Sequence, residues 1–307
     1  MPFMVIIMTS LMMSITILIS VAFLTLMERK ILGSIQIRLG PNKVGAEGIL
    51  QPFSDAIKLY SKESNMPTLS NMKIFFLAPV MGLLISLSCW IIMPYLKVHF
   101  SANMGMILYM SVMGLSIYIL LMAGWSSNST YATLGAMRCI AQTISYEVTL
   151  IFIIMSMFIL NETLNFYTFL NHQKYIWFIF LTPIFFMWMI VTLAELNRTP
   201  FDFGEGESEL VSGFNVEYSG VGFALIFMNE YAMIILASFM TTLLFLGSDI
   251  YSFTFYLKVT MVAFSIIWTR GCLPRFRYDK LMYLTWKNLL PCSLNLVTLN
   301  FCLSLIL

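Results

Sequence analysis

Between Glu195 and Tyr218 the chain concentrates groups able to take up and release protons: Glu195, Asp202, Glu205, Glu207, Glu209 and Glu217, with Arg198 as the one base among them. Close carboxylates repel one another, and such a cluster relieves the repulsion by keeping some of its protons near neutral pH. A solvated loop could hold the same acids, but it has no use for Phe201, Phe203, Leu210, Val211, Phe214 and Val216 interleaved with them. The stretch reads as a partly buried acidic site. If 205–209 is helical, Glu205 and Glu209 share a face and Glu207 points away, so the acids address two compartments.

Two further carboxylates, Glu147 and Glu230, stand inside apolar runs. At a rise of about 1.5 Å per residue both sit well inside a bilayer. Intramembrane acids are costly, face a bundle interior and mark functional pathways by default; the plainer role is a helix-packing hydrogen bond from a neutral acid. Arg138 and Arg198 are at hand to stabilise ionised forms. Glu162 and Asp249 fall at the ends of runs and read as solvated.

The elements that must position these groups are membrane helices. Of 307 residues, 59% are hydrophobic and 10% charged, with a mean hydropathy of +0.86. Soluble domains carry about 25% charged residues. A net charge of +2 gives no reason to expect nucleic acid as a partner. Cys89, Cys139, Cys272, Cys292 and Cys302 are scattered, and His99 and His172 are the only histidines, so a metal or iron–sulfur site has almost no raw material. Any electron carrier belongs elsewhere. Abundant Met, Phe, Ile and Asn fit an AT-rich coding genome such as an organelle's.

Runs long enough to cross about 30 Å of hydrocarbon fall at 3–27, 74–94, 104–124, 138–160, 175–194, 221–246, 252–269 and 289–307. The expectation is an all-α, polytopic protein of about eight transmembrane helices forming one domain over 1–307. The first run has no basic leader and reads as a retained helix rather than a signal peptide. The loops after spans one, three, five and seven hold most of the Lys and Arg, including Arg29, Arg38, Arg138, Arg198, Arg275 and Arg277; the other side holds Lys97, Lys174 and Lys258. The positive-inside rule then puts the long loops at about 28–73, 195–220 and 270–288 on the inner side and both termini outside. After Pro52, Phe53, Ala56, Ile57 and Tyr60 alternate with Ser54, Asp55, Lys58 and Lys62 at helical spacing, which predicts an amphipathic helix at the membrane surface. The segment Gly40-Pro-Asn-Lys-Val-Gly45 has the glycines of a phosphate loop but not its Lys-Ser/Thr. Basic and aromatic residues alternate from Arg270 to Lys287, as an interfacial anchor or a docking loop would have them.

Four blocks carry a resemblance: Glu28-Arg-Lys-Ile-Leu-Gly with Gly40-Pro-Asn-Lys-Val-Gly and Gln51-Pro through Asp55-Ala-Ile-Lys-Leu; Ala141-Gln-Thr-Ile-Ser-Tyr-Glu147-Val; Ala194-Glu with Gly206-Glu-Ser-Glu-Leu-Val-Ser-Gly-Phe-Asn-Val-Glu-Tyr218; and Leu273-Pro-Arg-Phe-Arg-Tyr-Asp279. Together they make the chain similar to the membrane subunit 1 family of respiratory NADH:ubiquinone oxidoreductase (complex I). Phe203-Gly204 departs from the family's usual Leu-Thr before Glu205, which removes a hydroxyl there. The resemblance implies a core subunit that forms, with hydrophilic partner subunits, the chamber for the ubiquinone headgroup. FMN and iron–sulfur clusters would be held by partners, with antiporter-like membrane subunits alongside. It implies that Arg29, Arg38, Asp55, Arg277, Phe223 and Phe227 line the chamber. Glu147, Glu195, Glu205, Glu207, Glu209 and Glu230 would couple quinone reduction to proton movement, with Glu28, Arg138, Arg198 and Arg275 beside them. The location implied is the mitochondrial inner membrane, with the inner loops in the matrix and lipids around the helices; a bacterial plasma membrane is the alternative.

The same residues allow three other readings. A free-standing transporter or channel would show paired Gly/Pro-broken spans at the midplane, whereas the glycines cluster in inner loops. A passive anchor leaves Glu147 and Glu230 unexplained. The equivalent subunit of a membrane-bound hydrogenase-like complex shares the architecture but has other soluble partners.

Overall fold

The computed structural model describes residues 2–94, 103–173, 176–204, 206, 211–247 and 249–306. The helices are α1 Pro2–Ile35, α2 Gln51–Ser61, α3 Met72–Ile92, α4 Gly105–Ser126, α5 Thr130–Asn161, α6 Thr168–His172, α7 Thr182–Glu195, α8 Gly220–Thr241, α9 Phe253–Cys272, α10 Tyr278–Tyr283 and α11 Leu290–Ile306. A π-helical turn over Thr242–Leu246 extends α8, and another over Leu284–Leu289 joins α10 to α11. Among the described residues there is no strand.

Six helical stretches among the described residues are long and apolar enough to cross a membrane: Ile7–Ile35, Met72–Ile92, Gly105–Ser126, Thr130–Asn161, Gly220–Leu246 and Tyr278–Leu305. The other two expected runs are also helical. The shorter apolar α7 has 14 residues, and α9 has 20 but carries Lys258 and Arg270. The all-helical, polytopic class is plain. Several helices outrun the hydropathy that marks them. α1 continues to Ile35 and so takes Glu28 and Arg29 out of the first loop; α5 begins at Thr130 and takes in Arg138; α10 begins at Tyr278. Charged residues end an apolar run without ending a helix, because their backbone hydrogen bonds are as good as any other's.

α3 packs between α4 and α8, α5 lies against α4, α7 and α11, and α8 touches α1, α2, α3 and α9. Trp188, Tyr146, Phe166, Phe169, Phe245 and Phe255 fill the interior. Met8, Ile15, Leu84, Tyr118 and Met261 point outward, as lipid-facing side chains do. α2 rests on α1 and α8 with Phe23 and Phe53 edge to face at 6.1 Å, but Phe53, Ile57 and Tyr60 remain exposed. An apolar helix face left uncovered by protein suits a helix lying in the bilayer interface.

Pro79 stands inside α3 and cannot donate to the carbonyl one turn back. Tyr218 supplies the missing donor: its hydroxyl donates to Phe75 O at 3.2 Å, and its ring stacks on Phe75 at 4.2 Å with planes 2° apart. Burial pushes this phenol up to about 12, so it stays a donor through the physiological range. The start of α8 is thereby fastened to the first turn of α3. In the loop between α1 and α2 Gly48 has φ +79°, and a β-carbon there would lie 2.2 Å from Pro41 O, so the turn admits only glycine.

Candidate functional site

Five helices enclose a cavity with ≈ 70 Å³ of room for water, lined by Pro79 and Gly82 of α3, Ser116 and Ile119 of α4, Thr143 of α5, Glu195 at the end of α7, and Asn229, Glu230 and Met233 of α8. Ile226, Asn229, Glu230 and Met233 recur at helical spacing, so one face of α8 is given to the cavity. Volume of this order holds several waters. The cavity brings together Glu195 and Glu230, which are 35 residues apart in the chain (230 − 195). Glu195 Oε2 and Asn197 Oδ1 are buried and have no hydrogen-bond partner among the described residues. Such atoms need a polar neighbour or water to be tolerable in a membrane interior. Glu147, half-buried on α5, lies one turn beyond Thr143 and within electrostatic reach of Glu195.

Beside the cavity, three segments meet at one arginine. Arg198 is 7% exposed; its guanidinium reaches Glu28 Oε1 of α1 and Glu230 Oε2 of α8, both at 3.7 Å, and lies 4.7 Å over the Tyr231 ring. Glu28, 4% exposed, is also paired with Arg270 near the end of α9. A buried charge persists only when opposite charges or donors surround it, and here each carboxylate shares a guanidinium with the other. Any change of charge at Glu230 alters the pull on Arg198, and through it the field at Glu28.

Toward the expected inner side, Arg29 and Arg38 line one open cleft with Leu32, Leu39, Gly40 and Pro41. Arg29 pairs with Asp55 of α2, which also accepts from Gln51 Nε2 at 2.9 Å. Phe223, Phe227 and Tyr231 form a stripe along α8, with ring centroids 4.3 and 6.4 Å apart. The stripe ends under Arg198 and so joins the aromatic wall to the charge cluster. Arg275 reaches Asp202 at 3.4 Å, and Arg277 pairs with Asp279 at 3.0 Å on an exposed surface. Arg138 is half-buried on α5, nine residues before Glu147.

The acidic stretch is anchored by its aromatics. Phe201, Phe203 and Phe214 are buried; Phe201 lies 5.4 Å from Phe276, and Phe203 meets Tyr278 edge to face at 5.9 Å. Gln142 holds the stretch from below, donating from Nε2 to the carbonyls of Ala194 and Phe201, each at 2.8 Å. Glu205, Glu207 and Glu209 lie outside the described residues.

Sequence reasoning missed Tyr231, Arg270, Asn229 and Gln142 as parts of the site. The i, i+4, i+8 spacing of Phe223, Phe227 and Tyr231 would have found the first. Nothing local marks Arg270, whose partner Glu28 is 242 residues away.

A family model described as NADH dehydrogenase matches residues 8–301. The chain is 56% identical to NADH-ubiquinone oxidoreductase chain 1 of Aedes aegypti, over 93% of this chain and 92% of that one. It is equally similar to the protein of that name from Anopheles gambiae, at 56% over 93% and 91%. The protein of that name from Phascolarctos cinereus is 49% identical over 94% and 91%.

Proposed function

Since the chain belongs to the NADH dehydrogenase family, as a chain 1 subunit of NADH-ubiquinone oxidoreductase, we propose that it forms the ubiquinone chamber with hydrophilic partner subunits and couples quinone reduction to proton translocation. The partners supply FMN and iron–sulfur clusters, antiporter-like membrane subunits adjoin it, and its place is the mitochondrial inner membrane with the long loops in the matrix. The carrying observation is the aromatic stripe Phe223–Phe227–Tyr231 ending under Arg198, whose guanidinium faces Glu28 and Glu230, the latter lining the cavity that holds Glu195, with the Arg29–Asp55 pair on α1 and α2.

Reducing the quinone to the quinol takes two electrons, which a partner's cluster delivers, and two protons. Negative charge therefore arises on the headgroup before protons reach it. Arginines at the cleft hold a polar headgroup and stabilise that charge. Arg198, shared between two carboxylates, passes the change on: drawn toward the chamber side and Glu28, it leaves Glu230 less compensated, and Glu230 then favours a proton from the cavity. Glu195 and Glu147 continue the same response along the bundle, with Glu205, Glu207 and Glu209 as further proton-holding groups of the acidic stretch.

Asp55→Asn tests the chamber end. Asn cannot pair with Arg29, so the mouth of the cleft loses its arrangement while the partners' flavin is untouched. NADH:quinone turnover should fall several-fold, on the order of the loss from one charge-assisted contact, with NADH oxidation by a hydrophilic artificial acceptor unchanged. If both activities fall together in a fully assembled complex, Asp55 does not belong to the chamber.

The basic loop gives a second comparison. Lys287 lies 3.8 Å over the Tyr283 ring, as an interfacial anchor does, and Arg277 stands in the extended segment before α10. Arg277→Ala should weaken quinone use or docking of the hydrophilic subunits, with Lys287→Ala close to wild type. Equal and negligible effects in quinone titrations of both complexes would assign the loop to membrane anchoring alone.

A further inference from the structure

Gly114 of α4 faces Glu147 of α5 so closely that a β-carbon on it would lie 2.8 Å from Oε1, nearer than real side chains approach. Glu147 is the only neighbour from another element within 4 Å of that position among the described residues. The backbone does not ask for glycine there: residue 114 is in the body of α4, where any helix former does better. What the missing side chain leaves is room for a carboxylate.

The neighbouring contacts fix the setting. α4 and α5 are antiparallel, and near the loop between them a β-carbon on Gly124 would overlap Ala136 Cβ at 2.2 Å. The helices are thus drawn together at Gly124 and Ala136, and along the same pair Gly114 meets Glu147. Ser116, two residues from Gly114, and Thr143, one turn from Glu147, both line the cavity that holds Glu195 and Glu230. We propose that Gly114 is a positioning residue, whose missing side chain forms the notch seating the Glu147 carboxylate at the end of that cavity. The proposal rests on the reading of Glu147 as a proton-carrying group. Gly114 and Gly124 of α4 then do different work, Gly124 setting helix approach and Gly114 setting one side chain.

The test uses the assembled complex with Gly114→Ala. The clash is with the end of a flexible side chain, so the helices need not move and the assembled amount should match wild type. Displacing the carboxylate by an ångström or so should lower the maximal rate of quinone reduction about tenfold or more, with KM for quinone unchanged because the chamber is untouched. Gly114→Ala combined with Glu147→Asp, which withdraws the carboxylate by one methylene, should turn over faster than Gly114→Ala alone, a non-additivity expected only of groups in contact. Gly124→Ala, whose clash is with helix Ala136, should instead reduce assembly, and Glu147→Asp should not relieve it. Wild-type turnover in Gly114→Ala, or a loss that Glu147→Asp leaves as it was, overturns the proposal. If Gly114→Ala fails to assemble, recovery of assembly in the double variant supports the notch and its absence overturns it. Glu147→Gln measured in parallel separates the two levels. Lost turnover there with a normal Gly114→Ala rejects the notch alone; normal turnover there rejects the role of Glu147 itself.

Discussion

Replacing Arg198 with Met should remove both the assembly and the turnover of the complex. The guanidinium is the shared counter-charge of two carboxylates on different helices, Glu28 and Glu230, at 3.7 Å from each. Met fills much of the same volume over Tyr231, so packing is largely kept and the change is mainly one of charge. Glu28 retains Arg270, which is part-exposed, whereas Glu230 loses its contact with Arg198. Breaking a buried pair by removing one partner costs about 3–5 kcal/mol, a large fraction of the roughly 5–15 kcal/mol by which a domain is stable. The assembled complex, read on a native gel, should fall severely, and NADH:quinone activity with it. Adding Glu230→Gln removes the carboxylate that Arg198 faced, so the double variant should regain assembly while staying inactive. An Arg198→Met complex that assembles and turns over within twofold of wild type would show that the two contacts carry neither structure nor coupling.

How much of this was legible beforehand differs between the helices and the site. The apolar runs announced each membrane helix, because a chain in lipid has no other way to satisfy its backbone than to close it locally. Their ends were not announced. Glu28 and Arg29 read as the start of a loop, yet they prolong α1, and that extension is what brings Glu28 to Arg198 and Arg270. The interleaved phenylalanines of the acidic stretch did signal burial, and Phe201, Phe203 and Phe214 are indeed buried. The Arg198 cluster was not readable, since its members come from α1, the loop after α7, α8 and α9, and pairing across such distances leaves no mark on local spacing. Gly114 is the extreme case: a glycine in a membrane helix is ordinary, and its significance lies wholly in the side chain opposite.

The final expectation concerns Glu147, where membrane burial and function pull in opposite directions. An ionised carboxylate at this depth costs several kcal/mol even after partial compensation, and Glu195, within electrostatic reach, makes two simultaneous charges dearer still. A proton bound to one of them is therefore coupled to the state of the other, which is the property a relay needs. Glu147→Gln keeps the length and most of the hydrogen-bonding capacity of the side chain and still fits opposite Gly114, but it cannot exchange a proton. The variant should assemble at wild-type level and lose quinone reductase activity and proton translocation together, by a factor of ten or more, in line with the contribution of a single acid–base group. Both losses are expected because tight coupling stalls electron transfer when the proton has nowhere to go. Glu147→Ala distinguishes a brace from a relay. A brace tolerates Gln and fails to assemble with Ala, while a relay fails in turnover with either. Proton uptake into sealed vesicles, turnover and assembled amount, measured for the two variants, decide between them, and an assembled Glu147→Gln complex that pumps at the wild-type rate would end the relay reading for this residue.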